Sequence, residues 1–361
     1  MIRFEKWEGR AEILSPLRGF EREVHVLEYR RDPLTGQVSI VAKGRSGYVM
    51  RYFRSDEELL RELVEKTREN CPFCPDAIER ETPRFPPEVL PEGRLRLGDC
   101  WVVPALFPHA DLNAIVVLGP DHFRKPGELG RDLLRDGLLA GIELIRRARG
   151  ALPDLKHAAI IMNYLPTGGS SQLHPHMQVL ASQRPFNYVG ALLSKSLDYY
   201  LAYSRCFWKD LVEEEARLGR RLLGRIGPTW WLAPFAPMRR YEVLCLVEDV
   251  SSLLEVPEET VAHVADGVSR VLRFYSDQGI WAFNMAVLSG PLDGGAKEFF
   301  WLQVRICARF GLGKKFLSDL WALPALLDTD EVFEAPEDYA LKIKPYFQES
   351  RAGEADPPSP A

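Results

Sequence analysis

The sequence has no long apolar run. Its longest uninterrupted apolar stretches, such as residues 158–162, are far shorter than the ~20 residues of a membrane helix. Residues 1–10 mix charges of both signs, and no apolar run that would mark a secretory signal peptide follows them. We therefore expect a soluble, cytoplasmic protein without a membrane partner.

The sequence also has no excess of positive charge. Its 46 Lys and Arg residues stand against 51 Asp and Glu residues, which gives a net charge of −5, and no extended basic stripe is present. The electrostatic attraction on which nucleic-acid-binding proteins rely is therefore missing. We expect no nucleic-acid partner, and any phosphate group must be held by a local site.

Cysteine is scarce, because six cysteines in 361 residues are too few for a disulfide framework. Only Cys71 and Cys74 lie close together. A C-x2-C pair with a proline after each cysteine is typical of half of a tetrahedral zinc site, and a redox-active pair is the alternative. No second C-x2-C exists, so the other zinc ligands would be distant histidines. The candidates are His25, His109, His122, His157, His174, His176 and His263.

What the sequence does contain is typical of a globular protein, with 46% hydrophobic and 27% charged residues. Its length suits two domains of roughly 100–200 residues each. Alternating and β-branched residues predict strands over residues 38–41, 101–106, 114–118, 158–164 and 177–181. Apolar periodicity predicts helices over residues 56–70, 131–149, 188–223 and 257–277. Helices and strands are therefore mixed throughout.

A weak internal repeat predicts a duplicated unit. Phe107 precedes Ile115 by eight residues, and Phe235 precedes Val243 by eight. In each half a helix follows, and then an apolar strand that contains an asparagine and one more strand. The order strand, strand, helix, strand, strand therefore occurs twice, which predicts an α+β fold with an antiparallel sheet. A chance likeness between apolar strands is the alternative. The last dozen residues have the composition of a disordered tail.

The segment with the clearest chemical pattern is NYLPTGGSSQLHPHMQVLA. Its small residues 167–171, among them Gly169, Ser170 and Ser171, form a loop that can approach phosphate oxygens closely. Pro175 favours an extended conformation before it, so the strand period places His174, His176 and Gln178 on one face. A neutral imidazole can attack phosphorus, and either histidine could do so. The alternative is a pair of surface histidines beside a turn.

Four blocks together resemble the galactose-1-phosphate uridylyltransferases of the histidine-triad superfamily, a family that includes nucleotide-sugar phosphorylases. They are RRDPLTGQVSIVA, CPFCPDAIERETP, GPDH and NYLPTGGSSQLHPHMQ, in the same order and within residues 28–185. The resemblance implies two tandem histidine-triad-like units, each an antiparallel sheet with packed helices. We expect a catalytic unit over residues 1–186, a unit without the histidine motif over 187–347 and a disordered tail over 348–361.

The resemblance also implies roles for single residues. It makes His176 the nucleophile that takes up the nucleoside monophosphate. The residues implied to bind the nucleotide or its phosphates are Gln178, Arg45, Asn163, Gly169, Ser170 and Ser171. The residues implied to hold zinc are Cys71, Cys74, His122 and His174.

Departures from the family pattern limit what the resemblance implies. Ala105 stands where the family has an asparagine beside the uracil, so uridine specificity is in doubt. The His-rich motif of the second half is replaced by WLQVRIC, with Gln303 and Arg305, so we expect only one metal ion. No Tyr-Glu pair of the kind with which this family grips the hexose follows.

The expected activity is ping-pong nucleotidyl transfer from a nucleotide sugar to a sugar 1-phosphate or to phosphate, through a covalent intermediate on His176. A histidine-triad hydrolase would use the same nucleophile but pass the nucleotide to water. A non-catalytic nucleotide-binding protein would keep the pocket without turnover. A homodimer is one expectation for the assembly.

Overall fold

The computed structural model describes residues 2–43, 46–314 and 317–348. Its strands, in chain order, are β1 (Glu5–Ser15), β2 (Glu21–Arg31), β3 (Val38–Val41), β4 (Leu95–Leu97), β5 (Cys100–Pro104), β6 (Leu112–Leu118), β7 (His157–Tyr164), β8 (His176–Ser182), β9 (Leu222–Ile226), β10 (Thr229–Leu232), β11 (Val243–Val247), β12 (Phe283–Leu288), β13 (Gln303–Ala308) and β14 (Glu331–Val332). Its α-helices are α1 (Ser46–Phe53), α2 (Glu57–Arg68), α3 (Ile78–Glu81), α4 (Arg131–Ala151), α5 (Asn187–Tyr203), α6 (Phe207–Leu218), α7 (Glu258–Asp277), α8 (Ala322–Leu326) and α9 (Pro336–Gln348).

The strands form two sheets. The larger one has the order β4-β5-β6-β8-β7-β12-β13-β11-β10-β9, and its neighbouring strands are antiparallel. The smaller one has the order β1-β2-β3-β14, in which only β14 runs parallel to its neighbour. The predicted α+β class with antiparallel sheets is confirmed.

The two predicted units meet at the centre of the larger sheet. There β7 pairs with β12, and Asn163 lies directly opposite Asn284. On each side the order is the predicted one: β5, β6, α4, β7 and β8 in the first half, and β10, β11, α7, β12 and β13 in the second. The two units therefore share one continuous sheet.

The predicted single helix over residues 188–223 is wrong, because the chain forms α5, α6 and the start of β9 there. Ser204 has a φ of 52° and ends α5, and Gly219 has a φ of 67° and ends α6. Both conformations are left-handed caps that stop a helix. Apolar periodicity alone does not reveal such stops. The long β1–β2 hairpin was also not predicted.

The main core lies on one face of the larger sheet, under α4 and α7. Buried side chains of α4 such as Leu138 and of α7 such as Val268 pack with Val116, Val179 and Val304 of the strands. Each such side chain, when fully buried, contributes roughly 1.5–3 kcal/mol to stability. Among the described residues, no helix combines the length and the apolar character needed to cross a bilayer.

A second cluster covers part of the opposite face. Phe207 and Trp208 of α6 pack there against Leu244, Leu246 and Trp301, on the strands of the second half and the loop beside them. On the first half the same face holds half-buried side chains, Ile115, Ile161 and Gln178 among them. This more open part of the sheet carries His176.

Candidate functional site

Two cysteines and two histidines from three parts of the chain come together beside β8. Cys71 and Cys74 lie in a turn after α2, in which the Cys74 amide donates to the Cys71 carbonyl. His122 lies in the loop after β6, and His174 lies two residues before β8. All four are buried, and their potential ligand atoms lie within 4.8 Å of one another. These are the four residues that the resemblance implied.

The distances within this Cys2His2 cluster suit a tetrahedral ion. The Nδ1 atom of His122 lies 3.5 Å from the Cys74 sulfur, and Nδ1 of His174 lies 3.8 Å from both sulfurs. A tetrahedral zinc ion with Zn–S of ~2.3 Å and Zn–N of ~2.0 Å separates such atoms by roughly 3.6 Å. The cluster could therefore hold one metal ion, and its donor set favours zinc over hard cations such as magnesium.

Both imidazoles are oriented by protein oxygens. The Nε2–H group of His174 donates to the Gly119 carbonyl over 2.9 Å. Thr67 donates its hydroxyl proton to the Leu63 carbonyl, so its oxygen accepts from Nε2–H of His122 over 3.1 Å. Each ring therefore turns its Nδ1 lone pair toward the sulfurs, as metal-binding histidines do. Burial lowers the pKa of His174 to about 4, and it also lowers the pKa of His122, which keeps both rings neutral.

His176 is the first residue of β8 and is buried. Its Nδ1–H group donates to the His174 carbonyl over 2.8 Å, which places the free lone pair on Nε2. The Phe73 ring lies against the imidazole, with 5.3 Å between centroids. Burial lowers the pKa of His176, so the ring is neutral. Within residues 2–43, 46–314 and 317–348, Nε2 has no hydrogen-bond partner. A neutral imidazole with one free nitrogen can act as a nucleophile.

Gln178 and Asn163 lie on the same face of the sheet as His176. Gln178 is two residues after His176 on β8, so the two side chains share a face. Gln178 pairs with Ile161 of β7, and Asn163, two residues after Ile161, therefore lies on that face as well. Gln178 and Asn163 are half-buried, which leaves their amides within reach of a ligand. His174 lies outside β8, and its ring belongs to the Cys2His2 cluster.

The predicted phosphate loop follows β7 directly. Gly169 has a φ of 90°, a left-handed conformation that favours glycine, and it is exposed. Ser171 is exposed as well, whereas Ser170 is buried and its hydroxyl donates to the Gln172 carbonyl. Gly168 approaches β12 so closely that a Cβ there would lie 2.9 Å from the Phe283 carbonyl oxygen. Arg45, the remaining predicted phosphate ligand, lies outside the described residues.

The second half supplies residues to this site that were not predicted. Asn284 of β12 donates from Nδ2 to the Asn163 Oδ1 atom and to the Gly168 carbonyl, both over 2.7 Å. Arg309 donates to the Asn284 Oδ1 atom over 2.6 Å. Asp319 holds the Arg309 guanidinium with two bonds of 2.7 and 2.6 Å. An asparagine inside the apolar strand WAFNMAVL is the one sequence signal for this arrangement.

Ala105, which stands where the resemblance expects an asparagine beside the base, lies at the start of the β5–β6 loop. The next two side chains, Leu106 and Phe107, are 71% and 77% exposed. Asn113, the nearby amide, is buried and already engaged, because it accepts from the His109 amide and donates to the Val179 carbonyl. The loop therefore presents apolar side chains, and its buried amide is not available to a base.

Comparisons with known proteins bear on the fold. No protein-family model matches the chain. The chain is 29% identical over 340 residues to an uncharacterized protein of Archaeoglobus fulgidus, which covers 94% of this chain and 98% of that one.

Solved structures give the clearer result. A galT-like protein of Arabidopsis thaliana matches with a TM-score of 0.68 and 16% identity, over 88% of this chain and 98% of that one. An ADP-glucose phosphorylase from Arabidopsis thaliana with bound ADP-glucose matches with a TM-score of 0.67 and 16% identity, also over 88% of this chain and 98% of that one. A uridylyltransferase matches with a TM-score of 0.65 and 21% identity, over 89% of this chain and 98% of that one. The chain has the fold of these proteins, and the resemblance expected from the four sequence blocks is confirmed at the level of fold.

Proposed function

We propose that this protein is a nucleotidyltransferase. It moves a nucleoside monophosphate from a nucleotide sugar to a sugar 1-phosphate or to inorganic phosphate, through a covalent intermediate on His176. The observation that carries the proposal is the state of this histidine. Its Nδ1–H group is fixed on the His174 carbonyl, and its neutral Nε2 atom is left for attack. A structural similarity to a phosphorylase and a uridylyltransferase supports the same reaction class.

Two displacements at one phosphorus make up the reaction. In the first, Nε2 of His176 forms a bond to the α-phosphorus, and the bond from that phosphorus to the bridging oxygen breaks, which releases a sugar 1-phosphate. In the second, an oxygen of the acceptor phosphate attacks the same phosphorus and the P–N bond breaks. The His174 carbonyl, which accepts from Nδ1–H, stabilises the positive charge that the imidazole carries in between.

The residues around His176 would hold the transferred phosphoryl group. Gln178 follows the nucleophile by two residues on β8. The loop with Gly169, Ser170 and Ser171 precedes the nucleophile in sequence and follows the neighbouring strand β7. Since Asn163 already accepts from Asn284 through Oδ1, it presents Nδ2 as a donor. Donors aimed at phosphoryl oxygens stabilise the charge that builds up in the transition state.

We propose that Cys71, Cys74, His122 and His174 hold zinc. The ion would be structural, because all four ligands come from the protein and no position is left for substrate. These ligands tie the turn after α2 to the start of β8. His174 would be committed to the ion, so only His176 remains free to attack.

The nucleoside would lie along β8. Asn113, the second residue of β6 after the β5–β6 loop, pairs with Leu180, and Val117 pairs with His176. Four residues of a strand span about 13 Å, which is on the scale of a nucleoside monophosphate. The base would then reach the loop with Ala105, Leu106 and Phe107. Because Ala105 offers no amide, we expect no strong preference for uracil.

The remaining proposals concern the whole protein. We place the catalytic unit in residues 1–186 and the supporting unit in residues 187–347, with a disordered tail over residues 348–361. We propose a cytoplasmic protein that forms homodimers. Nucleotide sugars and phosphate acceptors are its expected partners, and nucleic acid is not.

The test is a screen of nucleotide sugars for exchange of labelled sugar 1-phosphate, followed by intact-mass spectrometry after an acid-free quench. We expect one sugar nucleotide to exchange and to leave a nucleoside monophosphate on His176. His176→Gly should lower exchange by a factor on the order of a thousand or more. His25→Gly, which changes a histidine of β2 in the smaller sheet, is the matched control. An adduct on another residue or unchanged turnover of His176→Gly would contradict the mechanism, and turnover without an acceptor phosphate would indicate a hydrolase.

A further inference from the structure

Of the residues that the structure describes, none pairs with the outer edge of the long β1–β2 hairpin. Its two strands form eleven consecutive cross-strand pairs without a bulge, from Glu5 opposite Arg31 to Ser15 opposite Glu21. The sheet order places β1 at the edge, and nearly all of its residues are exposed. The strand contains no proline. A regular, exposed edge of this kind offers a row of free N–H and C=O groups to another strand.

The charges along β1 follow a strict pattern. Lys6, Glu8, Arg10 and Glu12 occupy every second position, so they share one face, and their signs alternate. Lys6 bonds to Glu28 of β2, and Glu12 bonds to Arg22. Glu8 instead lies opposite a like charge on β2, and neither it nor Arg10 has an ionic partner in the part of the chain that the structure describes.

We propose that β1 pairs antiparallel with β1 of a second copy of this chain, about a twofold axis at Gly9. In that register Glu8 lies opposite Arg10 of the second copy, and Lys6 lies opposite Glu12. The twofold axis repeats each pair, which gives four opposite-charge contacts. Opposite charges directly across two strands are stabilising.

Other registers fail on charge. An axis at Glu8 places Glu8 against Glu8 and Lys6 against Arg10. An axis at Arg10 places Arg10 against Arg10 and Glu8 against Glu12. An axis at Trp7 or at Ala11 keeps only two of the four opposite-charge contacts. The sequence of β1 therefore complements itself most fully in one register, which favours a second copy over an unrelated strand.

The other face of the hairpin fits the same axis. Trp7 stacks on Tyr29, with 5.6 Å between ring centroids. The Tyr29 ring also covers Gly9, where a Cβ would lie 2.8 Å from its Cε2 atom. At the axis two glycines therefore meet beneath tyrosine rings, and Trp7 lies opposite Ala11 of the second copy. The pairing would join the two smaller sheets and bury apolar surface along with the charges.

Sedimentation velocity over a range of protein concentrations tests the proposal through a charge swap. We expect the wild-type protein to dimerise. Glu8→Arg and Arg10→Glu should each weaken the dimer by roughly tenfold or more, because each creates two like-charge contacts. The double variant Glu8→Arg/Arg10→Glu restores both contacts and should restore the affinity. Glu21→Arg, an exposed change on β2, is the matched control.

A disulfide experiment tests the register. In Glu8→Cys/Arg10→Cys, oxidised glutathione should produce a covalent dimer, because position 8 faces position 10 of the second copy. Glu8→Cys alone should not, since the two thiols introduced at position 8 would be diagonal neighbours with Cα atoms beyond the ~7 Å that a disulfide spans. A monomer at every concentration would overturn the proposal. A dimer whose affinity is unchanged by the single charge reversals would overturn it too. So would a covalent dimer that Glu8→Cys alone forms as efficiently as Glu8→Cys/Arg10→Cys.

Discussion

The Asn284 side chain decides which atoms of Asn163 face a ligand. Asp319 fixes Arg309, Arg309 donates to Asn284, and Asn284 donates to Asn163. Each bond in this series sets the direction of the next, so Asn163 turns its Oδ1 atom toward Asn284 and its NH2 group toward the open face of the sheet. The same Asn284 amide holds the carbonyl of Gly168 in the proposed phosphate loop. A residue of the second half thus prepares the site of the first.

We predict that Asn284→Ala lowers the exchange rate about tenfold, because the loss of one such bond to a positioned group is worth roughly 1–2 kcal/mol. The protein should keep its folded far-ultraviolet spectrum. The sharper measurement is a double-mutant cycle with Asn163→Ala, in which the two effects should not add. Additive effects would show that Asn284 acts independently of Asn163.

Glu215 gives a prediction about pH. The side chain is fully buried in α6 and bonds to Arg221 over 3.0 Å. Burial raises the pKa of Glu215 to about 7, against the pull of Arg221 in the other direction. Folding therefore favours protonated Glu215. The stability that comes from this proton is complete below the ordinary pKa of 4.5 and is lost as the pH rises through 7.

Glu215→Gln should remove this dependence. We expect the difference in the free energy of unfolding between pH 5 and pH 8 to be smaller in the variant by about 2 kcal/mol, measured by urea denaturation. Glu213→Gln is the control, because Glu213 lies on the same helix and is about half exposed. Equal pH dependence in wild type and Glu215→Gln would contradict the raised pKa.

At the scale of elements, local patterns predicted structure well and long-range pairing poorly. The C-x2-C turn and the His-Pro-His segment are short patterns, and the structure brings Cys71, Cys74 and His174 together. The link from Arg309 to Asn163 depends on the register between β7 and β12, strands more than a hundred residues apart. No spacing within the sequence reveals that register. The same holds for the break between α5 and α6, which depends on one left-handed serine.

The approach of α7 to the sheet gives a prediction for an element. Gly267 lies so close to β10 that a Cβ there would be 2.0 Å from the Trp231 ring, which is itself fully buried. Gly267→Ala should therefore destabilise the protein by about 1–3 kcal/mol, although alanine favours helices.

Gly150, near the end of α4, is the matched control, because nothing lies within 4 Å of a Cβ there. Gly150→Ala should stabilise the protein by a few tenths to about 1 kcal/mol. Thermal unfolding of both variants measures the contrast. If the two changes have the same sign, helix propensity rather than packing decides the effect at position 267.

At the scale of the whole molecule, the continuous sheet connects the two halves directly. The β7–β12 pair joins them at Asn163 and Asn284, within the proposed site. The second half has no histidine motif, yet it positions the loop that would bind phosphate. The first half would then supply the proposed nucleophile, and the second half the groups that orient its surroundings.

The Cys2His2 cluster brings three distant parts of the chain together, so an ion bound there should matter to the whole fold. We predict about one zinc ion per chain in the purified protein, because the four ligands complete one tetrahedral site. Removal of the ion, by a chelator or by Cys71→Ser/Cys74→Ser, should lower the melting temperature by roughly 5 °C or more. Elemental analysis and thermal unfolding are the measurements.

The controls separate the zinc ion from the nucleophile. His174→Ala should lose both zinc and exchange activity, whereas His176→Gly should lose exchange and keep its zinc, because His176 lies outside the cluster. Cys206→Ser changes a half-buried cysteine elsewhere and should leave metal content unchanged. The structural role of the ion would be refuted by a metal content near zero in freshly purified protein. It would equally be refuted if the double serine variant matched the wild type in zinc content and in melting temperature. Cys71 and Cys74 would then neither bind the ion nor stabilise the fold through it.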